Sequence, residues 1–293
     1  VYGLAADARS PRAVARIFEA KGRPAGNPLI VHVDSVEMAQ GCVAAWPSAA
    51  AQLAGAFWPG PLSLVLPKAD SIPDIVTAGG KTVAVRCPAH PVFSAVLAKC
   101  GFPLAAPSAN RSNRVSSTRA EHVVDQLGGH IPLVLDGGAC DIGIESTVID
   151  LTGDTPTLLR PGMISFGQLK AVIGSVATAK PPATAEPLKS PGQLQQHYSP
   201  RAKLIVVEGD LGAALGEADQ TIHIIARTAA SAAWPSERWH CLPDSAGDFA
   251  RELYDTLHRC DRLGAGTILV QSLPGTDEWA ALRDRLNRAA AGA

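Results

Sequence analysis

A proline-rich stretch divides the chain into two unequal parts and thereby favours a two-domain fold. Residues 175–200 contain five prolines and few large apolar side chains. Such a segment cannot continue a helix or a central strand, so it predicts an extended linker. A length of 293 residues also suits two domains better than one. We therefore predict a first domain over 1–174, a linker over 175–202 and a second domain over 203–293.

Both parts alternate strand and helix patterns, which indicates the α/β class. Apolar runs predict the strands, and capped amphipathic stretches predict the helices. In the first part the predicted strands are 29–33, 62–66, 82–86, 132–135, 147–151 and 157–159, and the predicted helices begin at Ser10, Pro91, Thr118 and Ser165. Thr118 and Ser165 are each expected to open a capping box. The second part shows strand patterns at 204–207, 222–225 and 267–270 and helix patterns around Leu253 and Leu282.

The charge balance excludes a protein whose main task is to coat nucleic acid. The net charge is −1, the isoelectric point is about 6.8, and aromatic residues make up only 5% of the chain. A large phosphate-binding or base-stacking surface requires a basic and aromatic composition, although a local basic patch is still allowed. No apolar run reaches the ~20 residues that span a bilayer, and no signal peptide is visible, so we predict a cytoplasmic protein. Six cysteines without a C-x-x-C pair predict buried, reduced thiols.

A rigid cationic loop leads directly into an apolar strand. Residues 21–28 read KGRPAGNP, and the strand that follows ends at His32. Lys21 and Arg23 suit a phosphate clamp because arginine forks onto phosphate oxygens and lysine adds a point charge. Asn27 supplies a neutral donor and acceptor. The alternative is that both cations stay solvated near a helix C-terminus and that His32 is an ordinary core residue.

Other polar groups stand at the ends of strands or in loops. Thr82 and Arg86 share one face of a predicted strand, and an inward arginine requires an acidic partner or an anionic ligand. The preceding GGKT is not a Walker A loop, since the required earlier glycine is missing and a strand follows. Residues 107–118, PSANRSNRVSST, offer small donors before a helix, which indicates an anion site or a solvated loop.

The motifs together resemble the YrdC-like family. In order and spacing, the stretches that carry the resemblance are KGRPAGNPLIVHV, FWPGPLSLVLP, TAGGKTVAVRCP, PLAAPSAN, LDGGACDIGIESTVIDL and LLRPG. SPGQLQQHYSP resembles the linker of the two-domain members, the L-threonylcarbamoyladenylate synthases. The match is strong over about 1–173, good in the linker and weak beyond it. It implies a twisted α/β domain with an open cleft, joined to a smaller Rossmann-like α/β domain.

The resemblance implies a reaction, substrates and partners. L-threonine, bicarbonate and ATP would give threonylcarbamoyl-AMP and pyrophosphate, with magnesium held mostly by the nucleotide and water rather than by protein ligands. The product would feed a transferase that modifies tRNA adenosine, no membrane is implied, and direct tRNA binding is left open. A carbamate oxygen must be held in line with the α-phosphate, which is catalysis by positioning and charge stabilisation. No nucleophile–base pair is needed.

The resemblance also assigns roles to individual residues. Lys21 and Arg23 are expected to be catalytic. The expected ATP contacts are Arg23, Asn27, Thr82, Ser108, Asn110, Ser116, Arg160 and Tyr198. Tyr198 would close over the nucleotide. The expected threonine contacts are His32, Arg86, Ala106 and Ser146.

The sequence departs from the family at three places. The family usually reads Pro-Thr-Glu-Thr before Val-Tyr-Gly, whereas this chain begins at Val1, so part of the threonine pocket is expected to be missing. Asn113-Arg114 stands where glycine is frequent, and Ser117 where proline is frequent.

Two other functions remain to be weighed. One is an RNA-binding module, with Lys21, Arg23, Arg86, Arg111 and Arg114 on a concave surface. The other is a carbamoyl-transfer domain of related fold, which the HYSP linker and the lack of zinc-type cysteine spacing disfavour.

Overall fold

Two separate β-sheets organise the chain. A computed structural model describes residues 1–179, 189–191, 197–209, 211, 221–229 and 234–291. Each sheet packs into its own principal hydrophobic core. The predicted α/β class with two sheet-containing parts is confirmed.

The first sheet is mixed and, among the described residues, has eight strands. They are β1 (Ala6–Asp7), β2 (Ile30–His32), β3 (Leu62–Pro67), β4 (Thr82–Arg86), β5 (Leu104–Ala105), β6 (Thr147–Asp150), β7 (Thr157–Arg160) and β8 (Ala177–Thr178). Their order is β1-β5-β2-β4-β3-β6-β7-β8. The pairs β2–β4, β3–β6 and β7–β8 are parallel, and the other pairs are antiparallel. β8 pairs with this sheet although it follows residue 174, the end that we predicted for the first domain.

Seven helices accompany this sheet in the described part of the chain. They are α1 (Pro11–Lys21), α2 (Val36–Gln40), α3 (Ser48–Phe57), α4 (Asp74–Thr77), α5 (Pro91–Cys100), α6 (Ala120–Leu127) and α7 (Phe166–Ile173). The predicted start of α1 is confirmed, because the Ser10 side chain accepts from the N–H of Ala13 and Pro11 occupies the first turn. Ser165 and Gln168 form the predicted capping box of α7.

The second sheet is wholly parallel. Its described strands are β9 (Lys203–Val207), β10 (Ile222–Ala226), β11 (Trp239–Cys241) and β12 (Thr267–Gln271), in the order β11-β10-β12-β9. Helices α8 (Ala246–Arg262) and α9 (Ala280–Ala290) pack with it. No helix within the described ranges is long and apolar enough to cross a membrane.

Strand pairing brings two predicted site residues to the same edge of the first sheet. β2 and β4 run parallel, so their carboxyl ends meet, and His32 stands opposite Arg86. The carboxyl ends of parallel strands are where α/β sheets carry their ligand sites. Pairing therefore explains how residues 54 positions apart reach one cleft.

Three sequence predictions are wrong in detail. Thr118 does not open a capping box: α6 begins after Arg119, and the N–H of Thr118 donates to the ring of His122. Residues 132–135 form no strand, and Leu133 is 69% exposed there. All six cysteines are free, as predicted, but only Cys42, Cys87 and Cys260 are buried. Much of the predicted linker, 180–188 and 192–196, lies outside the described residues.

Candidate active site

The cationic loop after α1, residues 21–28, buries the side chains of Lys21, Arg23 and Asn27. Gly22 ends the helix with φ = 60°, a left-handed conformation that glycine adopts without strain. The buried Lys21 ammonium donates to the backbone carbonyls of Ser108, at 2.6 Å, and Asn110. Burial, followed by the nearby Arg23, lowers the pKa of Lys21 well below its usual value. Lys21 thus links the cationic loop to residues 107–110, the PSAN loop. The alternative prediction, that Lys21 stays solvated, is wrong.

The Arg23 side chain donates its hydrogen bonds within its own loop. Its Nε donates to the carbonyl of Asn27 at 3.0 Å, and a terminal nitrogen donates to the carbonyl of Pro28 at 2.8 Å. Burial is the main cause that lowers the pKa of Arg23 to about 10, and Arg160 adds to it while Tyr198 opposes it. The side-chain oxygen of Asn27 is buried beside this loop without a hydrogen-bond partner.

The edge of β2 and β4 supplies an imidazole and a second arginine. Burial, then the charge of Arg86, lowers the pKa of His32 to about 3, so the imidazole is neutral at pH 7. Its Nδ1 is buried without a partner, and its ring lies 5.2 Å from that of Phe93. Arg86 donates from Nε to the carbonyl of Gly60 at 2.9 Å. Burial, then Arg160, lowers the pKa of Arg86 to about 10.

Arg160 closes the cleft from the other side of the sheet. It donates from Nε to the carbonyl of Ser146 at 3.0 Å and from a terminal nitrogen to the hydroxyl of Ser146 at 3.1 Å. A third bond reaches the carbonyl of Pro191 at 3.2 Å. The hydroxyl of Ser146 also lies 2.8 Å from that of Ser63. Ser146 is therefore held by two partners, one of which, Ser63, the sequence did not single out.

The PSAN loop is buried and largely occupied by its own contacts, which excludes the solvated-loop interpretation. The amide nitrogen of Asn110 donates to the carbonyls of Arg111 and Arg114, both at 2.8 Å, while its side-chain oxygen has no partner. Ser108 is half-buried and uses its carbonyl for Lys21. The N–H of Ala106 donates to the carbonyl of Ile30, so a backbone contact to a ligand would use the Ala106 carbonyl.

Thr82 is the one predicted contact that the sheet separates from the rest. It begins β4 opposite Pro67, whereas Arg86 ends that strand. Four strand residues span about 13 Å, so Thr82 lies near the far end of the cleft edge.

Tyr198, from the described part of the linker, packs against Tyr254 of the second domain. Tyr198 is 1% exposed and has φ = 64°, and its hydroxyl has no hydrogen-bond partner. Its ring is 4.0 Å from that of His197 and 5.9 Å from that of Tyr254. Burial is the main cause that lowers the pKa of His197 to about 3, and the charges of Arg23, Arg160 and Lys21 contribute. His197, which precedes Tyr198 in the HYSP motif, therefore lies near the same cations.

Glu145 lies at the junction of the two domains, and three hydrogen-bond donors occupy its two carboxylate oxygens. It accepts from the Ser116 hydroxyl at 2.5 Å, the Tyr254 hydroxyl at 3.0 Å and Nε of Arg285 at 2.8 Å. Burial alone would raise the pKa of Glu145, but the charges of Arg285 and then Arg160 outweigh burial and hold it at about 2. No local pattern in the sequence indicates Arg285 or Tyr254, because both lie on ordinary amphipathic helices more than 100 residues away.

The cleft and the junction beside it differ in whether their cations have a carboxylate partner. Lys21, Arg23, Arg86 and Arg160 form no ion pair with a carboxylate among the described residues. Arg160 lies near Glu145, yet that carboxylate is bound by Arg285. Buried cations without a counter-ion are costly, so this cleft is built to receive an anion.

One cluster of metal-ligand types lies in the second domain. Ligand atoms of His223, His240 and Cys260 lie within 4.8 Å of one another. Arg259 donates to Nδ1 of His240 at 2.6 Å, which leaves the proton on Nε2, and Nε2 lies 3.0 Å from Nδ1 of His223. The group is therefore a hydrogen-bonded chain, in which the nitrogen that a metal would need is protonated.

Comparison with known proteins assigns both halves of the chain to families. Residues 1–162 match the Sua5/YciO/YrdC family model, described as "Telomere recombination", and residues 164–291 match the model described as "Threonylcarbamoyl-AMP synthase, C-terminal domain". Threonylcarbamoyl-AMP synthase of Pyrococcus abyssi is 40% identical over 99% of this chain and 87% of its own. The Bacillus subtilis enzyme of that name is 38% identical over 100% and 87%. The crystal structure of P. abyssi Sua5 complexed with L-threonine has a TM-score of 0.90 at 39% identity and covers 99% of this chain and 88% of its own.

Proposed function

The chain belongs to the Sua5/YciO/YrdC family of threonylcarbamoyl-AMP synthases, and from this premise we propose how its cleft carries out the reaction. It makes threonylcarbamoyl-AMP and pyrophosphate from L-threonine, bicarbonate and ATP. The observation that carries the residue assignments is a set of four cations without a carboxylate partner among the described residues: Lys21, Arg23 and Arg160 are buried, and Arg86 is half-buried. The triphosphate and the threonine carboxylate supply the anions that these cations lack.

The reaction needs alignment more than it needs a protein nucleophile. The amine of threonine and bicarbonate form a carbamate with loss of water. A carbamate oxygen then attacks the α-phosphorus of ATP, the bond to the bridging oxygen breaks, and pyrophosphate leaves with the electron pair. Buried cations stabilise the charge that develops on the phosphoryl oxygens, and a low-dielectric site strengthens this effect.

We assign the triphosphate to the side of the cleft that Lys21, Arg23 and Arg160 line. Lys21 and Arg23 are held by backbone carbonyls, so their charges are fixed before the nucleotide arrives. The unpartnered side-chain oxygens of Asn27 and Asn110 suit donors on the nucleotide or the water around it. Ser108 remains a proposed contact beside them. Thr82 is retained only as a contact to an extended part of the nucleotide.

Threonine is assigned to the edge of β2 and β4. Arg86 would pair with its carboxylate, because a guanidinium offers two parallel donors to two oxygens. The neutral His32, with an unpartnered Nδ1, would accept a hydrogen bond from the amine. Ser146 and the carbonyl of Ala106 complete the proposed pocket. An uncharged imidazole suits this position, since it does not compete with Arg86 for the carboxylate.

Magnesium is proposed to enter with the nucleotide. The carboxylate closest to the cleft, Glu145, already accepts from three donors, so it has little capacity for a metal. The oxygens of Asn27 and Asn110 fit a hydrated ion that the phosphates hold. The ion would neutralise phosphate charge. The product would pass to a transferase that modifies tRNA adenosine, and we propose a cytoplasmic location.

The alternative of an RNA-binding module is not supported by the positions of its arginines. Arg111 donates to the carbonyl of Gln126 and approaches the ring of His130, and Arg114 donates to the carbonyl of Pro200. Both therefore serve contacts within the chain. The relatives named as synthases over nearly the whole chain favour the enzyme.

The deciding experiment measures pyrophosphate release with ATP, magnesium, bicarbonate and L-threonine, omitting one at a time. We expect release only when all four are present. Release without threonine would mean simple ATP hydrolysis and would contradict the assignment. A second preparation should carry Pro-Thr-Glu-Thr before Val1, because the resemblance to the family implies that the last threonine residue of this segment contacts the substrate. The turnover of this preparation measures how much the segment contributes.

A further inference from the structure

We propose that Arg285, on α9 of the second domain, is a positioning residue for ATP: it fixes Glu145 and Tyr198, which in turn orient Ser116 and close the cleft. The inference rests on the proposed ATP site and extends it by giving the second domain a part in nucleotide binding. Arg285 lies 140 residues from Glu145 in the sequence, yet it is 1% exposed at the junction.

The guanidinium of Arg285 bonds to three separate segments. Nε donates to Oε2 of Glu145 at 2.8 Å, and one terminal nitrogen donates to Asp284 at 2.6 Å. The other terminal nitrogen donates to the carbonyl of Pro161 at 3.1 Å and, more weakly, to that of Glu145 at 3.4 Å. Pro161 directly follows Arg160, and Glu145 directly precedes Ser146, which accepts from Arg160. A single side chain therefore fixes the backbone next to the cleft arginine and next to its serine partner.

Glu145 is held by Arg285 and in turn fixes the orientation of the Ser116 hydroxyl. The hydroxyl of Ser116 has one proton, and it donates that proton to Oε1 of Glu145 at 2.5 Å. Ser116 can therefore offer the nucleotide only an acceptor, which suits a ribose hydroxyl or an adenine amino group better than a phosphate oxygen. Without a fixed Glu145, the hydroxyl would be free to rotate and this selectivity would be lost.

Arg285 also supports the ring that covers the cleft. Its guanidinium carbon lies 5.1 Å from the centroid of the Tyr198 ring, within the range of a cation–π contact. Burial would lower the pKa of Arg285, but Tyr198, Glu145 and Asp284 outweigh burial and raise it well above its usual value. Arg285 is therefore permanently charged and can hold both the carboxylate and the ring.

A purely structural role would make Arg285 a link between the domains and nothing more. The chain offers a control for that role, because Arg119 of the first domain pairs with Asp255 of α8 at 2.9 Å. This ion pair also joins the domains but is partly exposed and touches no residue of the proposed site. Removing it weakens domain contact without disturbing Glu145 or Tyr198.

The test compares Arg285→Met, Arg285→Lys and Arg119→Ala by calorimetric ATP binding without threonine and by steady-state pyrophosphate release. We expect Arg285→Met to raise both the Kd and the KM for ATP at least tenfold while the KM for threonine changes less than threefold. Arg285→Lys should recover part of the loss, since it restores the charge but not the fork. Arg119→Ala should bind ATP as the wild type does.

A double variant, Glu145→Leu with Arg285→Met, keeps the test decisive if Arg285→Met folds poorly. Removing both charges should recover part of the melting temperature, while ATP binding stays weak because the Ser116 hydroxyl has lost the acceptor that orients it. Normal ATP binding in the double variant would overturn the proposal and leave Arg285 as a structural link. If the wild type binds ATP but releases no threonine-dependent pyrophosphate, the proposed reaction fails, yet the comparison of ATP affinities still decides the role of Arg285.

Discussion

The cleft and the junction beside it both bury charged groups, but they balance them in opposite ways. At the junction, Glu145 and Arg285 satisfy each other at 2.8 Å, with further partners from three segments. In the cleft, Lys21, Arg23 and Arg86 donate to backbone carbonyls, and no carboxylate within the described part of the chain neutralises their charge. Neutralised charge specifies how the two domains meet, whereas the unneutralised charge is available for a ligand.

The two regions should consequently respond to mutation in opposite directions. Removing half of a buried ion pair leaves the other half without a partner, which costs stability. Removing a buried cation that has no partner relieves a desolvation penalty and instead costs ligand binding. Stability and activity measurements on matched variants can therefore test the comparison directly.

The largest expected effect is on the stability of the junction. Glu145→Ala leaves Arg285 with Asp284 as its remaining carboxylate and leaves the hydroxyls of Ser116 and Tyr254 without their acceptor. Breaking a buried pair of this kind costs about 3–5 kcal/mol in the free energy of unfolding. Urea denaturation followed by fluorescence measures this cost. Glu121→Ala is the matched control, because Glu121 is a largely exposed carboxylate that lies 3.8 Å from the guanidinium of Arg262. The control should lose less than about 1 kcal/mol, and equal losses in the two variants would contradict the distinction.

The next effect is on substrate use in the cleft. Arg86→Met removes the proposed partner of the threonine carboxylate, and a charge-assisted bond contributes about 2–3 kcal/mol, so kcat/KM for threonine should fall roughly 30- to 150-fold. The melting temperature should stay the same or rise, because a half-buried cation without a carboxylate partner is removed. Steady-state kinetics at saturating ATP, with a thermal melt of the same sample, make the measurement. Lys81→Met, at an exposed cation just before the same strand, should leave both unchanged.

The contrast between the regions also explains what the sequence could and could not reveal. Loop composition and strand alternation identified Lys21, Arg23 and Arg86, because a cation flanked by proline or by apolar residues is conspicuous locally. Arg285 was missed because its surroundings, ALRDRLNRAA, are typical of a solvated helix face. Its burial depends on a contact across 140 residues, which no local pattern encodes.

The errors in the fold have a similar origin. Thr118 matched a capping box, but its N–H donates to His122, whose ring stacks at 3.9 Å on that of His258 in the second domain. Residues 132–135 are apolar but lie exposed, without a neighbouring strand to pair with. The first case shows a tertiary contact overriding a local pattern, and the second shows an apolar run that lacks the pairing a strand needs. By contrast, α1 and α7, whose caps are formed within their own sequence, were predicted correctly.

The pH dependence of stability should distinguish the cleft from the junction, because their groups titrate over different pH ranges. His32 and His197 are neutral when folded, with pKa values of about 3, but bind protons near pH 6.5 when unfolded. The unfolded state therefore gains protons as the pH falls below 6.5, and each histidine lowers stability by up to about 1.4 kcal/mol per pH unit. Glu145 has its pKa lowered to about 2, so the stability it contributes is intact above about pH 4.5 and is lost between there and pH 2.

Urea unfolding at pH 8, 6 and 5 measures the histidine window before Glu145 begins to titrate. His32→Asn should reduce the slope of stability against pH by close to one proton, because residue 32 no longer binds a proton on unfolding, whereas His197, His240 and His258, whose pKa values are also lowered, still do. Glu145→Gln should leave that slope unchanged. An unaltered slope in His32→Asn would mean that His32 is not held neutral in the cleft.

The smallest effect concerns Tyr198, where the two regions meet. Its ring lies between the cations of the cleft and Arg285, and its hydroxyl has no partner in the protein. Tyr198→Ala removes the cover and the cation–π contact, each a contribution of about 1 kcal/mol, so the Kd for ATP should rise roughly fivefold to thirtyfold. Tyr198→Phe keeps the ring and is the control: unchanged binding means that the ring alone retains ATP. An equal loss in Tyr198→Phe would instead assign the hydroxyl to the nucleotide, whereas no loss in either variant would show that closure of the cleft does not depend on this residue.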